Sequence, residues 1–249
     1  MACYRNYVSN RAGRVHELWG VSPLTVTADD EQQPVVVNIG PRHSAWVREP
    51  RQARSEETLN RFLTATAELL ADRPFADISV NDICARADRT VGSFYARFED
   101  KASVLRVLVE QVATELHDEA RAWWVPETFE GDTIIEVIER TVDAVLGAYR
   151  EAGAVFHAAA IDAPNEPAFR DARLGVWIAC AEAFGEVLVH RSDEIGHPDP
   201  ARAAHLAIMA VISMIDVRMI YGSNVPPQGV SDTELRSDLL GVMRAIVGV

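Results

Sequence analysis

Cysteine is scarce in this chain, and its placement excludes a disulfide framework and a zinc ribbon. Cys3, Cys84 and Cys180 stand far apart among 249 residues, and none belongs to a Cys-x-x-Cys pair. Disulfide-rich and zinc-ribbon domains require closely spaced cysteine pairs. The pattern favours a protein of the reducing cytoplasm.

Long uncharged apolar runs are also absent. The best candidate, residues 206–221, is interrupted by Asp216 and Arg218, whereas a membrane span needs about 18 or more apolar residues. This run is predicted to be a buried helix, so no membrane partner is expected. The arginines near the N-terminus precede no apolar segment, so no signal peptide is expected either.

Common catalytic motifs are missing as well. The sequence contains no Gly-x-Ser-x-Gly, Walker A or His-Glu-x-x-His string. His190 and His197 lie near Asp193 and Glu194, but a solvated loop explains them better than a metal cluster. We therefore expect no enzymatic activity, no catalytic residue, no metal and no cofactor.

Charge is distributed unevenly along the chain. The net charge is −13, yet residues 42–101 carry ten basic and ten acidic side chains, whereas residues 102–249 carry eleven basic and twenty-three acidic ones. Two segments of different electrostatic character follow, and the neutrality of residues 42–101 leaves open a protein that does not bind DNA.

Residues 1–50 show no helical period and are rich in glycine and proline. They are interpreted as a flexible extension, or as a segment that is not translated if the true start lies downstream. Residues 51–101 and 102–249 are predicted to form two further domains.

Apolar periodicity after residue 50 is helical, with no alternating strand pattern. We predict an all-α fold: a three-helix N-terminal domain, then a larger α-helical ligand-binding and dimerisation domain. The predicted helices cover residues 55–72, 80–87, 91–97, 101–124, 132–152, 153–162, 167–191, 200–221 and 231–247.

The two short helices at 80–87 and 91–97 form the pattern of a helix-turn-helix. Ser79 is the predicted N-cap of the first, and Asp88-Arg89-Thr90 is the turn. Phe94 and Phe98 are predicted to face the core. In such motifs the second helix presents its N-terminal side chains to the major groove of DNA.

Residues 56–105 resemble the N-terminal domain of TetR/AcrR-type transcriptional regulators. The matching string is Ser79-Val80-Asn81-Asp82-Ile83-Cys84-Ala85-Arg86-Ala87, then Thr90-x-Gly92-Ser93-Phe94-Tyr95-x-x-Phe98-x-Asp100-Lys101-x-x-x-Leu105. The resemblance implies a cytoplasmic repressor that binds a palindromic operator as a homodimer and releases it when a small apolar effector binds. It also implies the DNA-contacting residues Arg54, Ser79, Arg89, Thr90, Val91, Gly92, Ser93, Tyr95, Arg97 and Lys101.

The chain departs from the family pattern in the turn. Asp88-Arg89 stands where members usually carry Gly-Val, and Pro74 replaces a glycine before Phe75. Aspartate tolerates a left-handed conformation better than most residues, and the stem of Arg89 can replace the apolar side chain while its guanidinium reaches a phosphate. The alternative is a helical protein–protein interaction module whose degenerate helix-turn-helix binds no DNA.

The later helices contain many aromatic residues, most of which must pack in the core. Proteins of the TetR type use this region as a ligand cavity, so the resemblance implies an apolar effector site there. The candidate ligand-binding residues are Trp123, Phe156, His157, Trp177, Cys180 and Phe184.

Helices 200–221 and 231–247 are apolar on more than one face. Because a surface helix of a monomer needs only one apolar stripe, the second face is predicted to be buried by another copy of the chain. Small residues at 203, 204, 207 and 210 would allow the helices to approach closely. The competing interpretation is that one face packs on the chain's own core and the other lies under residues 1–50.

Overall fold

The computed structural model describes residues 53–162, 166–222 and 229–249, and within these ranges the chain contains helices and no strand. The all-α prediction is therefore confirmed. The α-helices, numbered along the chain, are α1 Ala53–Asp72, α2 Val80–Ala87, α3 Val91–Tyr95, α4 Lys101–Trp123, α5 Ile134–Asp162, α6 Pro167–His190, α7 Pro200–Tyr221 and α8 Asp232–Val247. Short 3-10 helices lie at Phe75–Asp77, Pro126–Phe129 and Ser192–Glu194.

The described residues fall into two compact units. The first comprises residues 53–112 with the described parts of 150–172, and the second comprises 113–149 with the described parts of 173–249. The first unit contains α1, α2 and α3, and α7 and α8 pack against each other in the second.

Two of the later helices begin at side-chain caps. Asp199 accepts a hydrogen bond from the Arg202 amide at the start of α7, and Ser231 with Glu234 forms a capping box at the start of α8. Helix α1 begins at Ala53, two residues before its predicted start at residue 55. Such side-chain caps satisfy amides that have no partner inside the helix.

The division of residues 132–162 into two helices is wrong, because α5 runs unbroken from Ile134 to Asp162. Gly153, where the second of these helices was predicted to begin, lies buried within α5 and has no positive φ. A glycine costs an α-helix about 1 kcal/mol relative to alanine, and the buried neighbours Ala152 and Val155 supply packing that offsets this cost.

Helix α7 is, by length and composition, the one helix of the described ranges that could cross a membrane. Core helices of water-soluble proteins pass the same test. Its inward face fits the buried helix predicted from the sequence, since eight of its residues are buried: Ala203, Ala204, Ala207, Ile208, Val211, Ile212, Ile215 and Asp216.

Candidate nucleic-acid interface

Helix α2 starts at a capping box. The Ser79 hydroxyl accepts a hydrogen bond from the Asp82 amide at 3.1 Å, and the Asp82 carboxylate accepts from the Ser79 amide at 2.8 Å. The Ser79 hydroxyl donates to the same carboxylate at 2.7 Å. These bonds, the hydroxyl bond first, lower the pKa of Asp82 to about 2. The predicted cap is confirmed.

The turn after α2 holds a left-handed residue. Asp88 has φ 53° and ψ 51° and is the non-glycine residue with positive φ among the described ones. Its amide donates to the Ala85 carbonyl, and the Arg89 amide donates to the Cys84 carbonyl at 2.9 Å. Aspartate thus occupies the conformation for which the family uses glycine, and the turn closes normally.

This geometry predicts opposite effects of two substitutions at Asp88. Asp88→Gly removes left-handed strain and is expected to leave the free energy of unfolding unchanged or raised by up to about 1 kcal/mol. Asp88→Val places a β-branched side chain in that conformation and is expected to lower it by about 1–3 kcal/mol. Urea denaturation measures both. Equal stability of the two variants would contradict the left-handed assignment.

Helix α3 is anchored by two phenylalanines. Phe94 and Phe98 are fully buried, and their ring centroids lie 5.4 Å and 6.0 Å from that of Phe62 in α1. Buried aromatic pairs of this kind contribute about 0.5–1.5 kcal/mol beyond the area they bury. The prediction that Phe94 and Phe98 face the core is confirmed, and their burial determines which side of α3 faces outward.

The outward side of α3 carries three of the predicted DNA-contacting residues, whereas Ser93 and Arg97, which are predicted to face base edges, are half-buried. Val91 is 38% exposed and Tyr95 is 48% exposed, and Gly92 between them is exposed as well. A Cβ built on Gly92 would meet only the Thr90 hydroxyl oxygen, at 3.9 Å. The chain itself therefore does not require glycine at this position.

Two hydroxyls at the start of α3 make local hydrogen bonds. Thr90 Oγ1 accepts from the Ser93 amide at 3.2 Å, so Thr90 caps α3. Ser93 Oγ donates to the Thr90 carbonyl at 2.8 Å. Both oxygens keep an acceptor site for a further donor.

Two arginines flank the turn and α3. Arg89 donates to the Asp88 carbonyl at 2.7 Å and lies 3.9 Å from a Glu57 carboxylate oxygen. Arg97 is half-buried and donates to the Ser93 carbonyl at 3.0 Å. Burial, and then the charge of Arg89, lowers the pKa of Arg97. An anion placed near both guanidinium groups would relieve their repulsion.

Lys101, the single lysine of the chain, makes contacts that the sequence did not predict. Its ammonium donates to the carbonyls of Phe75 and Ile78, both at 2.8 Å, and lies 4.4 Å from the centroid of the Phe75 ring. The side chain thus ties the start of α4 to the segment between α1 and α2. A DNA phosphate that binds Lys101 would have to share its ammonium group with these two carbonyls.

The contacts of Lys101 predict a loss of stability when they are removed. Lys101→Met is expected to lower the free energy of unfolding by about 1–3 kcal/mol, because two charge-assisted hydrogen bonds are lost. Arg61→Met serves as the control, since its exposed pair with Glu57 contributes less than about 1 kcal/mol. Equal urea midpoints for the two variants would show that the Lys101 contacts contribute nothing to folding.

One predicted DNA contact, Arg54, has a side chain outside the described residues, although its backbone belongs to α1. The arginines at positions 42, 48 and 51 also lie outside them.

The six candidate ligand-binding residues divide between the two units. Phe156 is buried and His157 half-buried in the first unit. Trp123, Trp177, Cys180 and Phe184 belong to the second.

Trp123 has a clear packing role. Its ring centroid lies 5.1 Å from that of Trp124 and 5.0 Å from that of Phe129, and the Trp124 indole donates to Thr141 at 3.1 Å. Phe184 is fully buried. A cavity of about 420 Å³ lies elsewhere in the second unit, lined by Pro126, Glu127, Phe129, Glu130, Gly131, Val187, His190, Arg191 and Glu194.

Sequence reasoning missed a polar cluster in the second unit. Tyr149, Arg173 and Asp216 come together from α5, α6 and α7. The available signal was a charged residue in the middle of the apolar run of α7, which served only as an argument against a membrane span. Within the described ranges, no group of three or more His, Cys, Asp or Glu side chains is placed to hold a metal ion.

One family model matches part of the chain, and several solved structures of regulators are similar to it. Residues 62–108 match the model for bacterial regulatory proteins of the tetR family. A Mesorhizobium loti protein assigned to that family shares 16% identity over 80% of this chain and 100% of its own, with a TM-score of 0.63. A tetR-family transcriptional regulator from Streptomyces coelicolor shares 18% identity over 77% of this chain and 80% of its own, with a TM-score of 0.56.

A third similar structure is SmeT, the repressor of the Stenotrophomonas maltophilia multidrug efflux pump SmeDEF. It shares 18% identity over 77% of this chain and 90% of its own, with a TM-score of 0.52. No curated protein matches the chain. The resemblance predicted from the helix-turn-helix is confirmed: residues 62–108 form a domain of the TetR type, and the fold is that of TetR-family regulators.

Proposed function

We propose that this protein is a cytoplasmic transcriptional repressor that binds operator DNA as a homodimer and releases it when a small, largely apolar effector binds. The observation that carries the DNA-binding part is the arrangement of α3. Phe94 and Phe98 hold the helix on the core, and Val91, Gly92 and Tyr95 lie on its exposed side. A helix held in this way can enter the major groove.

Each DNA-facing residue has a proposed role. Val91 contacts a thymine methyl, and Ser93 with Arg97 faces base edges. Gly92 allows the DNA backbone to approach closely. The residues assigned to phosphates are Arg54, Ser79, Arg89, Thr90, Tyr95 and Lys101.

The charges around α3 support a phosphate contact at Arg89. Several arginines of this unit are paired with acids, as Arg86 is with Glu68 at 3.0 Å. Among the described residues, the acid paired with Arg89 is Glu57, at 3.9 Å, and the charge of Arg89 acts on a second guanidinium, that of Arg97. Replacing that weak pair with a phosphate costs little and gains a charge-assisted hydrogen bond.

The proposed dimer uses α7 and α8. Among the described residues, α7 leaves Leu206, Met209, Val217 and Tyr221 exposed. Their spacing places them on one face, which a second copy would cover. The small residues Ala203, Ala204 and Ala207 are instead buried within the chain, and a Cβ on Gly185 of α6 would lie 3.7 Å from that of Ala204.

Three regions complete the proposal: an extension at 1–50, a DNA-binding domain at 51–101 and a ligand-binding and dimerisation domain at 102–249.

Effector binding among the aromatic residues would shift the population toward a form whose two recognition helices no longer match the operator. An effector with equal affinity for both forms would shift nothing. In the DNA-bound form the recognition helices would lie about 34–36 Å apart, which is one turn of DNA.

Selection of duplexes from a random pool by the full-length protein tests this function. The expected result is enrichment of a near-palindrome with half-sites about 10 base pairs apart between their centres. The Ser93→Ala protein is expected to select an altered half-site. A pool that stays random after repeated rounds would favour a protein–protein interaction module without DNA binding.

A further inference from the structure

Three helices of the second unit meet at a buried carboxylate. Asp216 of α7 is 5% exposed. The Tyr149 hydroxyl of α5 donates to its Oδ1 at 2.8 Å, and a guanidinium nitrogen of Arg173 in α6 lies 3.6 Å from its Oδ2. Through these contacts the Asp216 carboxylate connects α5, α6 and α7.

The carboxylate is only partly satisfied. Asp216 Oδ2 is buried and accepts no hydrogen bond from the described residues, because 3.6 Å is too long for one. The Arg173 guanidinium lies 5.0 Å from the centre of the Trp177 ring, so it contacts the indole as well as the carboxylate. An unsatisfied buried acceptor is costly, and native proteins rarely keep one without a reason.

This oxygen lies among buried side chains. Burial is the main cause that raises the pKa of Asp216 and also that of Tyr149. Burial likewise raises the pKa of the Cys180 thiol to about 12. The thiol and the phenol are therefore neutral at pH 7.

The cluster is most exposed at Arg173. Its side chain is 32% exposed, whereas that of Asp216 is 7% exposed. Trp177, next to Arg173, is half-buried. A small molecule could reach Oδ2 by displacing part of the Arg173 side chain over the indole.

We propose that Asp216 and Arg173 bind the hydroxyl group of a neutral, largely apolar effector. This inference rests on the effector-binding part of the proposed function and names its ligand class. The hydroxyl would donate to Asp216 Oδ2 and accept from Arg173, bridging two groups that stand too far apart to bond directly. An ammonium group cannot accept that second bond, and a carboxylate cannot donate the first.

Calorimetric titration of the full-length protein, without DNA, tests the proposal. The probes are 1-naphthalenemethanol, 1-naphthalenemethylamine and 1-naphthoate, which share a ring system and differ in the polar group. Benzyl alcohol and 1-octanol extend the range of size and shape. The variants are Asp216→Asn, Arg173→Gln and the control Asp143→Asn, which changes an equal charge in the ion pair with Arg236 of the same unit.

At least one alcohol is expected to bind the wild-type protein more tightly than the matched amine and carboxylate. Its affinity is expected to fall about tenfold or more in Asp216→Asn and in Arg173→Gln, and less than about threefold in Asp143→Asn. Circular dichroism melting shows whether each variant is folded. If Asp216→Asn does not fold, the alcohol affinity of Arg173→Gln alone tests the proposal.

Binding of no alcohol, preference for the amine or the carboxylate, or unchanged affinity in the two cluster variants would each overturn the proposal. Because the titration contains no DNA, its result is independent of operator binding. Duplex selection that fails while the alcohol binds would reject the repressor and keep the ligand site. The reverse outcome would reject the ligand site alone.

Discussion

Gly92→Ala is expected to produce a protein that folds at least as stably as the wild type and binds operator DNA at least tenfold more weakly. Nothing in the chain opposes the added methyl group, whose nearest neighbour would be the Thr90 hydroxyl oxygen at 3.9 Å. Alanine in a helix is favoured over glycine by about 0.5–1 kcal/mol. A DNA backbone placed against Gly92 would collide with the methyl group.

Gly147→Ala provides the matched control, because Gly147 lies in α5 and a Cβ there would also meet no close neighbour. It is expected to gain similar stability and to leave operator affinity unchanged. Melting temperature and fluorescence anisotropy on the selected duplex measure the two effects. Full operator affinity in Gly92→Ala would place the DNA backbone away from α3.

Met209→Arg is expected to split the homodimer. Met209 is 50% exposed in the single chain, and a second copy on the exposed face of α7 would bury the introduced charge without a partner. Burying an uncompensated charge costs about 3–5 kcal/mol, which corresponds to a dimer dissociation constant about 100-fold or more higher. Operator affinity is expected to fall by a similar factor, since one half-site is then bound alone.

Val189→Arg is the control for this surface. Val189 is 53% exposed on α6, outside the proposed interface, so its variant is expected to stay dimeric. Ala207, by contrast, is fully buried, and an arginine there would disrupt the chain's own core. Sedimentation at micromolar concentration separates the outcomes. A dimeric Met209→Arg protein, or a monomeric Val189→Arg protein, would move the interface away from α7.

Local signals in the sequence predicted the helix-turn-helix well. Caps such as Ser79 act within three residues, and the inward pair Phe94 and Phe98 follows from helical spacing. The left-handed turn at Asp88 was also foreseeable, because few residue types tolerate that conformation. These features depend on neighbours in the chain, which periodicity and capping rules describe.

Periodicity and capping rules could not predict contacts between positions that are far apart in the sequence. Lys101 bonds to carbonyls 23 and 26 residues earlier, and Tyr149 bonds to a carboxylate 67 residues later. The sequence pattern also predicted separate helices at 132–152 and 153–162, whereas α5 is continuous in the folded protein. The polar part of the proposed effector site therefore emerged only from the structure.

Affinity for duplex DNA as a function of salt tests the central claim most directly. The wild-type protein is titrated with its selected duplex and with a scrambled duplex of equal length at several salt concentrations. The selected duplex is expected to bind at least about 1,000-fold more tightly, and the logarithm of affinity is expected to fall linearly with the logarithm of salt concentration. Equal affinity for the two duplexes, or binding that does not respond to salt, would contradict a sequence-specific DNA-binding regulator.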